Sequence, residues 1–328
     1  MRRVEQRTIE RLGRSVSVVG LGTWQLGAEW GTVTEQQARD VLRAAVEQGV
    51  TFFDTADVYG DGRSERFCGE LHREHPEVFV ATKMGRRVEQ LPEHYNAENF
   101  RAWNERSRAN LGMETLDLVQ LHCPPDEVYE DDRVFQALDE LVQEGRIRAY
   151  GVSVESSAQA LRAIARPHVA TVQIILNCFR LKPLDEVLPA AREQGVGIIA
   201  RVPLASGLLS GRYDEHTTFA ADDHRNFNRH GEAFDVGETF AGVPYEVGLR
   251  AAQELKGLLD PGTTLAQFAL RWVIDQPGVS TVIPGARNAE QVAGNVATAS
   301  LEPLRTEQLE GVVDVYDRLI REQVHDRW

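Results

Sequence analysis

The chain of 328 residues carries 36 Lys and Arg against 50 Asp and Glu, a formal net charge of −14. So acidic a chain is a poor partner for nucleic acid, whose non-specific affinity comes from cationic surface, and no apolar run is long enough to cross a bilayer. Apolar residues at 42% and charged residues at 26% argue against disorder and fit one folded α/β domain over residues 1–328.

Met1-Arg2-Arg3-Val4-Glu5 turns polar at once, unlike a signal peptide. The three scattered cysteines, Cys68, Cys123 and Cys178, make no disulfide framework, so a reduced, cytoplasmic setting is expected. Residues 4–15, with a Leu12-Gly13-Arg14 turn, read as a hairpin, and residues 16–19 as a first buried strand. Thr34 and Gln37 match a capping box. Ala38, Val41, Leu42, Ala45 and Val46 then share a helical face that Gly49 ends. Residues 50–53 read as a second strand, a helix starts near Ser64, and residues 78–81 read as a third strand. Further strands are predicted at 116–121, 147–152, 171–176, 197–202 and 280–283. Amphipathic helices lie between them, one with Val134, Leu138, Leu141 and Val142 on a face stopped by Gly145. Residues 206–244 are rich in Gly, His, Asp and Asn and lack periodicity, as a lid would. Leu309, Val312, Val313, Tyr316 and Leu319 predict an added helix over 306–324. Continuously apolar strands joined by helices imply a parallel sheet covered on both faces, and eight such units suit a closed (β/α)8 TIM barrel.

Barrels of this kind carry their active sites at the C-terminal ends of the strands. The second strand ends at Asp54, ahead of Asp57-Val58-Tyr59-Gly60. The third ends at Lys83, the fourth at His122, the fifth at Ser153 and the seventh at Arg201. Each alone reads as an ordinary turn or rim residue. An acid, a phenol, an amine and an imidazole on one rim make a coherent set. A phenol of pKa about 10 is a poor proton donor near neutrality. A neighbouring ammonium strengthens it as an acid, and a carboxylate keeps that ammonium charged and placed. An imidazole can donate to a carbonyl oxygen. Such a set would protonate the alkoxide formed when a carbonyl is reduced, with hydride from a cofactor, since no side chain supplies one.

In order and spacing, several motifs resemble the aldo-keto reductase family, its bacterial branch above all, over nearly the whole chain. They are Gly20-Leu21-Gly22-Thr23-Trp24, Phe53-Asp54-Thr55-Ala56-Asp57-Val58-Tyr59-Gly60, Ser64-Glu65, Thr82-Lys83, Leu121-His122 and Gly151-Val152-Ser153. Pro203-Leu204-Ala205-Ser206-Gly207-Leu208-Leu209-Ser210-Gly211 and Ile283-Pro284-Gly285-Ala286-Arg287 continue the likeness. The resemblance implies Tyr59 as general acid, Lys83 and Asp54 as its tuning pair, and His122 as the group that orients the carbonyl. It implies NADPH lying against Thr23 and Trp24, with Ser153 and Gln173 on the nicotinamide amide. It also implies Pro203, Leu204, Ser206, Gly207, Leu209 and Arg212 at the pyrophosphate, and Gly285, Arg287, Gln291 and Asn295 at the adenosine end. Arg287 suits the extra 2′-phosphate. Two positions depart from the pattern. Val154 stands where many members have Asn, and Arg201 where many have an aromatic that stacks on the nicotinamide; Arg201 is expected to touch cofactor or substrate.

The expectation is NADPH-dependent reduction of small aldehydes or ketones to alcohols, with no nucleic-acid or membrane partner. The alternative is an NADP-binding, redox-sensing interaction protein with little turnover. Other signals fall away. Gln25 stands where a dinucleotide fingerprint would need its third glycine. Cys68, His72 and His75 share a helical face but lack a fourth ligand, so no metal is expected. The rim also lacks the two facing carboxylates of a glycosidase.

Overall fold

The structure is a computed structural model that describes residues 4–27 and 33–328; Met1, Arg2 and Arg3, read above for targeting, lie outside the described residues. Strands Gln6–Ile9 (β1) and Arg14–Ser17 (β2) form the N-terminal hairpin, pairing antiparallel. Eight parallel strands follow in chain order, each beside the next: Leu21–Gly22 (β3), Phe52–Asp54 (β4), Phe79–Met84 (β5), Leu116–His122 (β6), Ile147–Ser153 (β7), Val169–Ile175 (β8), Gly197–Arg201 (β9) and Val279–Val282 (β10). Parallel bridges from Val19 to Val282 and from Gly22 to Gly285 close the ring. This is a (β/α)8 barrel with an N-terminal hairpin.

Residues 16–19 are not the first barrel strand. Val16 belongs to β2, and the first barrel strand is the two-residue β3. The β-branched run reads as one strand because both its ends are buried. Val16 instead plugs the barrel floor, and Val19 serves the closure.

The helices are Trp24–Gly27 (α1), Glu35–Glu47 (α2), Arg63–Glu74 (α3), Ala97–Leu111 (α4), Asp132–Gln143 (α5), Ser157–Ile164 (α6), Val187–Gln194 (α7), His224–Phe227 (α8), Tyr245–Lys256 (α9), Leu265–Asp275 (α10), Ala289–Ala297 (α11) and Thr306–Val315 (α12). The last continues through residues 316–324, as the added helix requires. Thr34 and Gln37 cap α2 reciprocally, a motif of about 1 kcal/mol. Among the described residues no helix is long and apolar enough to cross a membrane.

Two-residue alternation along the strands sorts the barrel. Phe53, Val80, Val119, Val152, Val172 and Ile198 join the core between sheet and helices. Phe52, Phe79, Ala81, Leu118, Ile199 and Ile283 pack with Ile9 and Val16 of the hairpin as a separate apolar floor. Two residues further along each strand the same face turns polar, at Asp54, Lys83, Gln120 and Arg201, all buried. The hairpin seals one end with hydrocarbon, and the ionisable groups collect at the other.

Candidate active site

Asp54 and Lys83 are only 2% and 1% exposed. Burying two charges costs several kcal/mol per ion unless each is paired and its hydrogen bonds are filled, and here they are. Lys83 Nζ pairs with Asp54 Oδ1, donates to the Thr55 carbonyl at 2.9 Å and to Tyr59 Oη at 3.4 Å. All three ammonium protons are used. Asp54 Oδ2 accepts from Gln173 Nε2 at 2.7 Å and Gln120 Nε2 at 3.2 Å. Burial alone would depress the lysine, but Asp54 and Tyr59 outweigh it and hold its pKa above the ordinary value. For Tyr59, burial pushes the phenol up and Lys83 pulls it back. The expected lowering by lysine is present, with burial the larger effect.

Two glycines fix the Tyr59 turn. A Cβ on Gly27 would sit 2.6 Å from the Tyr59 carbonyl carbon, and one on Gly60, whose φ is +60°, 2.6 Å from the Gly27 oxygen. Only glycine allows α1 and the turn to touch. The contact stacks Trp24 against Tyr59 at 6.0 Å between centroids. On the other side the His122 ring stands edge-on to Tyr59, also at 6.0 Å. Burial, then Arg86, Lys83 and Arg201, drive the His122 pKa well below its usual value, so the imidazole is neutral and offers one N–H.

Beside His122 lies a buried charged quartet. Arg86 Nη2 reaches Glu155 at 2.9 Å and Glu238 at 2.8 Å, while Arg201 Nη2 reaches Glu155 at 2.8 Å and the Val154 carbonyl at 3.0 Å. Glu238 comes from the 206–244 segment. The segment therefore packs over the mouth of the barrel, and Arg201 is held by carboxylates on the wall instead of being solvated. Cys123, Glu155 and Glu238 converge closely enough to suggest a metal site, but both carboxylates are already spent on the two arginines.

A cavity of about 780 Å³ runs from Tyr59 and His122 to Asn295. After β9 it follows a turn in which Val202, Ala205, Ser206 and Gly207 all have φ between +46° and +100°. Non-glycine residues there cost about 1–3 kcal/mol each, a strain that concentrates at ligand-holding turns. Ser206 Oγ ties this turn to the segment, donating to the Glu238 carbonyl and accepting from Phe240 N, both at 3.1 Å.

The structure brings nearly all the sequence-derived site residues to this cavity. Thr23, Trp24, Asp54, Tyr59, His122, Ser153, Gln173, Arg201, Pro203, Leu204, Ser206, Gly207, Arg212, Gly285, Arg287, Gln291 and Asn295 line it. Lys83 lies behind Tyr59, and Leu209 is buried in the core beneath the turn. Some have structural duties as well. Thr23 Oγ1 bonds the Asp54 carbonyl and Ser64, and Gln291 Oε1 accepts from Arg287 N in capping α11. Sequence reasoning missed Gln120, although it precedes His122 by two on the same strand face. It also missed Arg86, Tyr213, Arg225 and Glu238, because an aperiodic loop does not announce which way its side chains turn.

Residues 18–317 match the Aldo/keto reductase family. The chain is 33% identical over 299 residues to aldo-keto reductase YhdN of Bacillus subtilis, covering 88% of this chain and 87% of that one. Among solved structures it is similar to the glycerol dehydrogenase AKR11B4 from Gluconobacter oxydans, with a TM-score of 0.79 and 32% identity over 96% of both chains. It is also similar to an aldo-keto reductase from Klebsiella pneumoniae in complex with NADPH, with a TM-score of 0.70 and 26% identity over 96% of both.

Proposed function

The chain belongs to the aldo/keto reductase family and is an NADP-dependent oxidoreductase of carbonyl compounds, and from this premise we propose that Tyr59 is the proton donor in reduction of aldehydes or ketones. The observation that carries the proposal is the ammonium of Lys83, whose three protons go to Asp54, Thr55 and the Tyr59 oxygen.

The residues present fit NADPH. The cavity volume lies within the range of cofactor-sized pockets. Gln25 Oε1, on its wall, is a buried acceptor with no partner among the described residues. Ser153 and Gln173 would hold the nicotinamide end, the turn at 203–207 with Arg212 the pyrophosphate, and Gly285, Arg287, Gln291 and Asn295 the adenosine end. The reduced nicotinamide, when bound, supplies the hydride. Everything else falls to the chain. Neutral His122 donates to the carbonyl oxygen and fixes its position. Tyr59 gives its proton as that oxygen gains charge, and Lys83 stabilises the phenolate left behind. Asp54, gripped by Gln120 and Gln173, keeps Lys83 charged and aimed. The 206–244 segment acts as a lid that shuts water out.

The test is Tyr59→Phe. Turnover with a broad aldehyde panel should fall about 10²–10⁴-fold while NADPH binding persists. Near wild-type turnover would overturn the assignment. A redox-sensing interaction protein would instead show a single slow turnover in the wild type.

A further inference from the structure

Beside Tyr59 and His122 the cavity wall includes two charged side chains from different elements, Arg201 at the end of β9 and Glu238 from the 206–244 segment. Arg201 Nη2 lies 3.8 Å from the sulfur of Cys123, the residue that follows His122. Behind them Arg86 and Glu155 complete a balanced set of two guanidiniums and two carboxylates. Both guanidinium contacts to Glu238 fall on Oε1, from Arg86 Nη2 at 2.8 Å and Arg201 Nη1 at 3.8 Å. Arg201 is 8% exposed, and its Nε has no hydrogen-bond partner among the described residues. The wall therefore offers a second carboxylate oxygen as acceptor and an unused N–H as donor. Beyond burial and the Lys83–Asp54 pair, Glu238 raises the Tyr59 pKa and Arg86 lowers it, so the wall's charges are felt where the chemistry occurs.

We propose that the Arg201–Glu238 wall selects carbonyl compounds with a hydroxyl on the carbon next to the carbonyl, and that Glu238 turns away 2-oxo acids. The proposal rests on the carbonyl-reduction reading above. With the carbonyl oxygen held at Tyr59 and His122, the adjoining carbon of the substrate faces this wall. A hydroxyl both donates and accepts, so one such group can give its proton to Glu238 and accept from Arg201 Nε. A hydrocarbon in the same place would cover buried charges and return nothing to them. A carboxylate fares worse. It meets two glutamates whose balancing arginines are already committed, and its own charge finds no counterpart.

Steady-state kcat/KM with NADPH is measured for three methyl ketones of similar size, hydroxyacetone, butanone and pyruvate, and for the matching aldehydes glycolaldehyde, propanal and glyoxylate. Wild type should favour the hydroxylated member of each set about tenfold or more, the worth of a hydrogen bond to a charged group. Comparing ratios between proteins then removes differences in intrinsic reactivity. Glu238→Gln should lift the oxo acid about tenfold or more against the hydroxylated member, because one facing charge is gone. Glu238→Asp, which keeps the charge, should hold to the wild-type order. A purely structural role for Glu238 would move all members of a set by one common factor, and that result overturns the proposal. So does a wild type that favours the hydrocarbon or the oxo acid, a result that needs no variant to fold. Reduction of none of these carbonyls, or of any in a broad aldehyde panel, overturns the reductase reading and the selection with it.

Discussion

Replacing Lys83 by Met separates what the ammonium does for the fold from what it does for the chemistry. With Nζ 3.4 Å from Tyr59 Oη, an effective dielectric of about 20 gives an interaction with the phenolate of about 5 kcal/mol. Its loss makes the phenol an acid weaker by between three and four powers of ten, roughly, at 1.4 kcal/mol for each. Proton transfer that feels half of this slows by about 10²-fold, and the kcat of Lys83→Met should fall by at least that much. The same substitution strands Asp54, 2% exposed, as a buried unpaired carboxylate, at a cost of about 3–5 kcal/mol. The double variant Lys83→Met/Asp54→Asn removes that second penalty. Urea unfolding and steady-state turnover on wild type, single and double variants should show stability largely regained in the double and activity not regained. An active double variant, or a single variant within tenfold of wild-type kcat, would refute the role given to Lys83.

Arg201→Ala leaves Glu155 and Glu238 facing Arg86 alone, so it should lose about 3–5 kcal/mol of stability and reduce both turnover and NADPH affinity at least several-fold. Unchanged turnover and cofactor affinity would make Arg201 a bystander. Trp328 donates from Nε1 to Asp235 Oδ1 at 3.0 Å, carries Arg180 3.7 Å over its ring and fills the space a side chain at Gly242 would need. Trp328→Ala should therefore loosen residues 235–242 and speed their proteolysis several-fold, with Trp328→Phe in between.

The barrel was legible because its signals are local. Continuously apolar strands, capping pairs such as Thr34 with Gln37, and glycine stops such as Gly49 and Gly145 each need only a few neighbouring residues. Asp54, Tyr59, Lys83 and His122 were legible because strand ends in a barrel share one rim, so position along the chain becomes position in space. The misplaced first strand shows where locality fails. Residues 16–19 have the composition of one strand, yet Ser17 exchanges bonds with Thr51 through Thr51 Oγ1 and Ser17 Oγ, and only these distant partners split the run between hairpin and barrel. The quartet of Arg86, Glu155, Arg201 and Glu238 was invisible for the same reason. It joins four elements over 152 positions, and no spacing rule links them.

Asp57 gives the clearest pH dependence. It is 1% exposed, and neither carboxylate oxygen has a hydrogen-bond partner among the described residues. The nearest cations are engaged elsewhere. Arg87 donates to the Asp57 backbone carbonyl and to Asp61, and Arg106 also goes to Asp61. Glu65, fully buried and satisfied by Thr82 and Asn110, adds a like charge. Burial first and Glu65 second push the Asp57 carboxyl from 3.8 up to about 7, against the pull of Arg87 and Arg106. The folded value lies above the unfolded one, so between about pH 4 and pH 7 the native chain holds a proton that the unfolded chain has released. Stability from this group is then full below about pH 4 and falls as pH rises through 7. The whole span is worth about 4 kcal/mol, less what Arg87 recovers by turning from Asp61 to the ionised carboxylate. Asp57→Asn has nearly the same shape and no charge to bury. Its stability should match wild type near pH 4 and exceed it by about 2–4 kcal/mol at pH 8, read from urea midpoints at the two pH values. A difference that does not change with pH, or a wild type that is the more stable at pH 8, would show that Asp57 is ionised in the native state and that water or Arg87 already attends it.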